Sequence, residues 1–144
     1  MIPAQAGITY VVAAIIINHD GQLLINTRPA NKRFAGCWEF PGGKVESGET
    51  QSASLVRELR EELDLDLSGV VFHHLLRKKV SLTETSDTKS LMVDFYHCQL
   101  PKALCPRPLE GQSLAWAKLE ELEDYDFIPS NLDVLAQLPQ LLPQ

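Results

Sequence analysis

What this chain has little of narrows its chemistry first. Its three cysteines, Cys37, Cys98 and Cys105, are odd in number and lack C-x-x-C spacing. Neither a disulfide framework nor a zinc site is expected, and a reducing cytoplasm fits best. Basic residues are scarce, 13 Lys and Arg against 19 Asp and Glu, for a formal net charge of −6. A chain of that sign has no broad cationic surface to offer long nucleic acid. Residues 10–17 (YVVAAIII) form an apolar run too short to span a bilayer, and no Lys or Arg precedes it. That argues against a membrane span and a secretory leader. His19, His73, His74 and His97 show no metal-ligand spacing. Side chains alternate along a strand, so at most one of His73 and His74 can face a core. No repeat, low-complexity tract or linker interrupts the 144 residues. One globular domain over residues 1–144, acting as a monomer, is expected.

Glycine and proline are also missing from residues 52–63, and there the sequence becomes informative. Thr50 is placed to cap a helix over this stretch. At roughly 100° per residue, Leu55, Val56, Leu59 and Leu63 make one apolar stripe. Glu58, Glu61 and Glu62 stand at i, i+3 and i+4 and share a second face, about 120° from the stripe's centre. Glu49 sits just before the helix, and Arg57 can pair with Glu61 at i+4. Carboxylates about 4 Å apart repel by several kcal/mol at an effective dielectric near 20. A hard divalent cation removes that repulsion, and all-oxygen ligands suit Mg²⁺ or Mn²⁺. Cations would also bridge an acidic protein to an anionic phosphate substrate.

The remaining elements read as mixed α/β. Strands are expected at residues 10–17 and 23–27, joined by a turn at His19-Asp20-Gly21. A loop over residues 31–36 leads into Trp38-Glu39-Phe40-Pro41-Gly42-Gly43 and then the helix. Two longer strands at residues 70–80 and 91–99 flank the polar stretch Thr83-Glu84-Thr85-Ser86-Asp87. A proline-containing loop over 100–108, a short strand over 113–118 and a closing helix over 129–140, with Ser130 or Asn131 near its start, complete the chain.

Residues 43–65 (GKVESGETQSASLVRELREELDL) resemble the Nudix box of pyrophosphohydrolases. Gly43, Glu49, Arg57, Glu58, Glu61 and Glu62 fall at the motif's spacing, with Leu59 and Leu65 in its apolar slots. Asp64 departs from it, standing where the family has Gly. That Gly ends the helix in a left-handed conformation, which Asp tolerates at modest cost. The WEFPGGKVESGET run, Glu110-Gly111-Gln112 and Ile128-Pro129-Ser130-Asn131 are similar to the MutT-type subfamily, which converts 8-oxo-dGTP to 8-oxo-dGMP and pyrophosphate.

The resemblance implies a Nudix fold, a mixed β-sheet sandwiched between helices. It implies that the Gly43 carbonyl, Glu58, Glu61, Glu62 and Glu110 bind Mg²⁺, with Mn²⁺ able to substitute. Glu58 or Glu61 would be the base for a water attacking the β-phosphorus, and Arg57 would hold Glu49 and its neighbours in place. Arg28, Phe40 and Asn131 match substrate-binding positions, and Lys89 stands near a family Arg. The Asn131 amide, both donor and acceptor, suits O6 and N7–H of 8-oxoguanine. Asn131 could instead cap the last helix, and Phe40 could be plain core.

Two other readings stand beside this one. A pyrimidine or other modified dNTP could be the substrate of the same enzyme class. A non-catalytic module that recognises oxidised guanine would share the fold but lack the box carboxylates. Signatures of ADP-ribose and dinucleoside polyphosphate enzymes are absent: the first proline past the box is Pro101, and residues 80–83 contain no Tyr.

Overall fold

The computed structural model describes residues 7–81 and 90–143. The Thr83–Asp87 stretch and Lys89 lie outside the described residues. β1 (Ile8–Ile17) begins at Ile8 rather than at residue 10, and β2 (Leu23–Thr27) has the expected bounds. The run through Gly43 becomes two short strands, β3 (Trp38–Glu39) and β4 (Gly42–Lys44). α1 (Gln51–Leu63) follows, then β5 (His73–Val80), β6 (Ser90–Gln99), β7 (Leu114–Ala117) and α2 (Leu132–Leu141).

Two expectations need correction. β5 starts at His73, not residue 70, because Val70 and Phe72 turn down to pack on the α1 side of the molecule. The closing helix opens with a 3-10 turn at Pro129–Asn131 before α2 begins. Neither His73 nor His74 faces the core; both are exposed.

The sheet runs β3-β2-β1-β6-β5, with β4 against β1 and β7 against β2. β1 and β6 are parallel over their full length, from Ile8 opposite Ser90 to Ile17 opposite Gln99, and the other pairings are antiparallel. β1 is therefore central: β6 takes one edge, and β4 and then β2 take the other. Alternation along β1 splits the core in two. Val12, Ala14 and Ile16 face α1, packing on Leu55, Leu59 and Leu63. Ala13 and Ile15 face the opposite layer, with Phe40, Phe95, Val134 and Leu138. Each fully buried leucine of α1 contributes about 1.5–3 kcal/mol. This layering is the mixed sheet between helices that the sequence implies.

Both ends of α1 follow from side-chain chemistry. The Thr50 side chain accepts from the Ala53 N–H at 3.1 Å, satisfying one otherwise orphaned donor. Asp64 is the C-cap at φ 56° and ψ 35°, and its N–H reaches the Arg60 and Leu59 carbonyls. Asp has taken the left-handed position expected of it, the ordinary end of an α-helix.

Candidate active site

The acidic face of α1 is mounted on β4. Ser54 Oγ donates to the Lys44 carbonyl at 3.3 Å, and Arg57 Nη2 donates to the same oxygen at 3.0 Å. Gly43 lies so close beneath the helix that a Cβ there would stand 2.3 Å from Glu58 Cδ. A bare backbone at residue 43 is what lets that carboxylate lie against the strand. Gly42 meets β1 as closely, since its Cβ would fall 2.0 Å from the Val12 carbonyl oxygen.

Arg57 organises the carboxylates around it. Its Nε and Nη2 reach Glu49 at 2.6 and 3.0 Å in a two-pronged contact. Its Nη1 donates to Glu58 at 3.0 Å and to Glu61 at 3.4 Å. The hydrogen bonds from Arg57 hold Glu49 down to about 2, and the same partners raise the pKa of Arg57. Glu62 behaves in the opposite way. Burial pushes its carboxyl well above the usual range, reinforced by a hydrogen bond with Glu58 and by the charges of Glu58, Glu110 and Glu39. So Glu58 and Glu62 meet, Glu110 lies within electrostatic reach, and Glu61 stands 58% exposed beside Arg57. Among the described residues, no three acidic, imidazole or thiol side chains stand in a ready ligating group. The donors fit a hard divalent cation all the same. They are all oxygens, and burial with the neighbouring charges disfavours the ionised form of Glu62, a cost that a bound cation would relieve.

A cleft of about 300 Å³ opens between Phe40, Gly43 and Asn131. Its apolar walls include Phe40, Val80, Val93, Phe95 and Ile128. Phe40 is both core and wall, packing against Phe127 and edge-on to Phe95. Arg28, Glu39, Asn131 and the Gly42-Gly43 backbone supply the polar lining, so Gly43 joins the cleft to the carboxylates. Arg28 donates to Glu39 at 2.9 Å and to the Arg33 carbonyl at 2.8 Å. Asn131 is 7% exposed, and its side chain makes no capping bond to α2. Asn131 thus holds the N-cap position of α2 without spending its amide on a capping bond.

Three polar residues went unassigned in the sequence. Glu39 is a half-buried carboxyl whose pKa burial raises against the pull of Arg28. Alternation was the signal: Trp38 and Phe40 face one layer, which turns Glu39 towards the other. Asn26 lies across the ladder from Glu39, buried, and its Oδ1 has no partner among the described residues. Gln112 fastens the Glu110 loop to the end of α1, accepting from the Glu110 N–H and donating to the Glu62 carbonyl.

Comparison with known proteins agrees with this geometry. The family model described as NUDIX domain matches residues 8–138. The CTP pyrophosphohydrolase of Escherichia coli (strain K12) is 36% identical over 124 residues, 86% of this chain and 87% of that protein. The 8-oxo-dGTP diphosphatase of the same strain is 34% identical over 131 residues, 91% of this chain and 96% of that one. A solved MutT structure from Aliivibrio salmonicida or Vibrio cholerae superposes with a TM-score of 0.72 at 32% identity, covering 94% of this chain and 99% of that one. Among the described residues no helix is long and apolar enough to cross a membrane. Members of the matched family generally use divalent cations such as Mg²⁺. Fold, box and relatives agree that this chain belongs to the Nudix family, as a nucleoside triphosphate hydrolase acting on phosphoric anhydride bonds.

Proposed function

We propose that the chain hydrolyses 8-oxo-dGTP to 8-oxo-dGMP and pyrophosphate, removing an oxidised precursor from the nucleotide pool. The observation that carries this reading is Asn131, an amide almost fully buried in an apolar cleft and not spent on capping its helix. Oxidation turns N7 of guanine from acceptor to donor. An acceptor fixed opposite N7 rejects ordinary dGTP by facing one lone pair with another. Aromatic walls at Phe40 and Phe95 suit a flat base.

Roles then follow position by position. The Gly43 carbonyl, Glu58, Glu61, Glu62 and Glu110 would hold Mg²⁺, for which Mn²⁺ could substitute. When bound, the cation supplies charge neutralisation on the phosphates and a more acidic water. Glu58 or Glu61 takes the proton as water oxygen bonds to the β-phosphorus. The bond from that phosphorus to the α–β bridging oxygen breaks, so the nucleoside monophosphate leaves with that oxygen. Arg57 keeps Glu49 and Glu58 in register without touching substrate, and Arg28 serves the nucleotide beside Phe40.

Likeness to the CTP pyrophosphohydrolase favours a second reading, in which a pyrimidine triphosphate fills the same cleft. Pyrophosphate release with Mg²⁺ on 8-oxo-dGTP, dGTP, CTP and dCTP, at substrate well below KM, separates the two. The first reading expects 8-oxo-dGTP to lead in kcat/KM, and Asn131→Ala to lower that value by about tenfold for each hydrogen bond lost. A wild-type preference for a pyrimidine would overturn it. Undiminished turnover in Glu61→Gln, or persistence after chelation, would overturn the assignment of the box.

A further inference from the structure

The inward face of β5 carries an unexpected charge. Leu76 and Val80 pack into the layer beneath α2, and Lys78 lies between them at the same pleat phase. Its side chain is only 16% exposed, so its methylenes run along apolar surface while the ammonium must find partners. It finds two. Nζ donates to the Ser130 carbonyl and, at 2.7 Å, to the Asp133 carboxylate. Those residues bracket Asn131: one lies in the 3-10 turn, the other in the first turn of α2. The segment's other backbone ties come before it, at Asp126 and Ile128, which bond to Trp38. Past Ile128, and among the described residues, Lys78 is the polar cross-link from this segment to the sheet, beside the apolar packing of Val134 and Leu138.

We propose that Lys78 is a specificity-determining positioning residue: by gripping Ser130 and Asp133 it fixes the Asn131 amide in the cleft and so sets the discrimination between oxidised and ordinary guanine. This rests on the reading of Asn131 as the group that meets the base. Reading a single donor–acceptor reversal demands an amide held tightly, since a misplacement of about 1 Å can cost on the order of 100-fold. Lysine suits the task here because one ammonium serves two acceptors on different turns. Lys78 acts through Asn131 and touches no substrate.

Lys78→Met keeps the apolar stem and removes the ammonium. For this variant, wild type and Lys78→Arg, steady-state rates are measured on 8-oxo-dGTP, dGTP and CTP, with amide hydrogen exchange over residues 128–135. Lys78→Met is expected to lower kcat/KM for 8-oxo-dGTP by on the order of tenfold, mostly through KM, with little change for CTP. The ratio of 8-oxo-dGTP to dGTP should contract, exchange over 128–135 should speed up, and Lys78→Arg should recover part of both. An equal fall on all three nucleotides, or an unaltered ratio, would overturn the discrimination role. Unchanged exchange would overturn the clamp itself. A wild-type enzyme that prefers CTP would overturn the base assignment and the discrimination role together, and exchange would then judge the clamp separately.

Discussion

Alanine at Gly42 and at Gly43 should damage this protein in opposite ways, although the residues are neighbours on one short strand. A Cβ at Gly43 would meet only the end of one side chain, the Glu58 carboxyl carbon at 2.3 Å and both its oxygens at 2.5 Å. Glu58 can rotate away at the cost of an off-rotamer side chain, about 0.5–1.5 kcal/mol. The lost freedom of glycine in the unfolded chain offsets about 0.4–1 kcal/mol of that. Gly43→Ala should therefore unfold within about 1 kcal/mol of wild type. Its carboxylate, however, is displaced by more than an ångström, which should lower turnover on the order of 100-fold. A Cβ at Gly42 would instead meet backbone: the Val12 oxygen at 2.0 Å and Ala13 Cα at 2.8 Å. Neither atom can move without opening the pairing of β4 with the central strand. Gly42→Ala should lose about 3–5 kcal/mol of stability. Urea unfolding paired with pyrophosphate release on 8-oxo-dGTP tests both. Near-normal turnover in Gly43→Ala, or equal destabilisation of the two variants, would refute the reasoning.

Two further substitutions probe the supports of α1. Asp64→Gly relieves a left-handed Asp and should stabilise the fold by about 0.5–1 kcal/mol, a rise of roughly 3 °C in Tm, without lowering turnover; a sharp loss of activity would show that Asp64 has another task. Asp94, 2% exposed, binds Arg77, His74 and Gln51, the first residue of α1. Burial alone would raise its carboxyl, but those hydrogen bonds outweigh it and hold the group below the usual range. A depressed pKa gives stability that is complete above about pH 4 and is lost as pH falls through the folded value. Asp94→Asn should cost about 3–5 kcal/mol at neutral pH, with the gap to wild type closing in acid. A gap of constant size across the acid range, read by urea unfolding, would remove Asp94 from this role.

Local signals carried well from sequence to structure. Thr50 capped the helix, Asp64 took the left-handed turn, and β2 kept its bounds, because each depends on a few adjacent residues. What escaped was set by partners distant in the chain. Gly42 and Gly43 carried no strand signal of their own, yet β1 recruits them into β4. Residues 70–72 are apolar enough for a strand, but the α1 layer takes Val70 and Phe72 first. In the site, helical spacing put Glu58, Glu61 and Glu62 on one face. It also gave the Arg57–Glu61 pair, but not that Arg57 reaches Glu58 as well or that burial raises Glu62 beside it. Glu39, Asn26 and Lys78 were invisible as a set because each gains its meaning from a strand or helix met only in three dimensions.

The parallel ladder between β1 and β6 sets a timetable for the nascent chain. β1 is made well before β6, and the neighbour along its longest edge is not complete until Gln99 has been made. Until then α1, with Leu55, Leu59 and Leu63 already synthesised, lacks the Cys98 and Leu100 part of its platform. Pairings between distant segments form late, and the surfaces awaiting them are exposed to chaperones and proteases meanwhile. The acidic helix, which as a sequence is the most self-contained piece of this protein, thus cannot complete its packing before β6 is made.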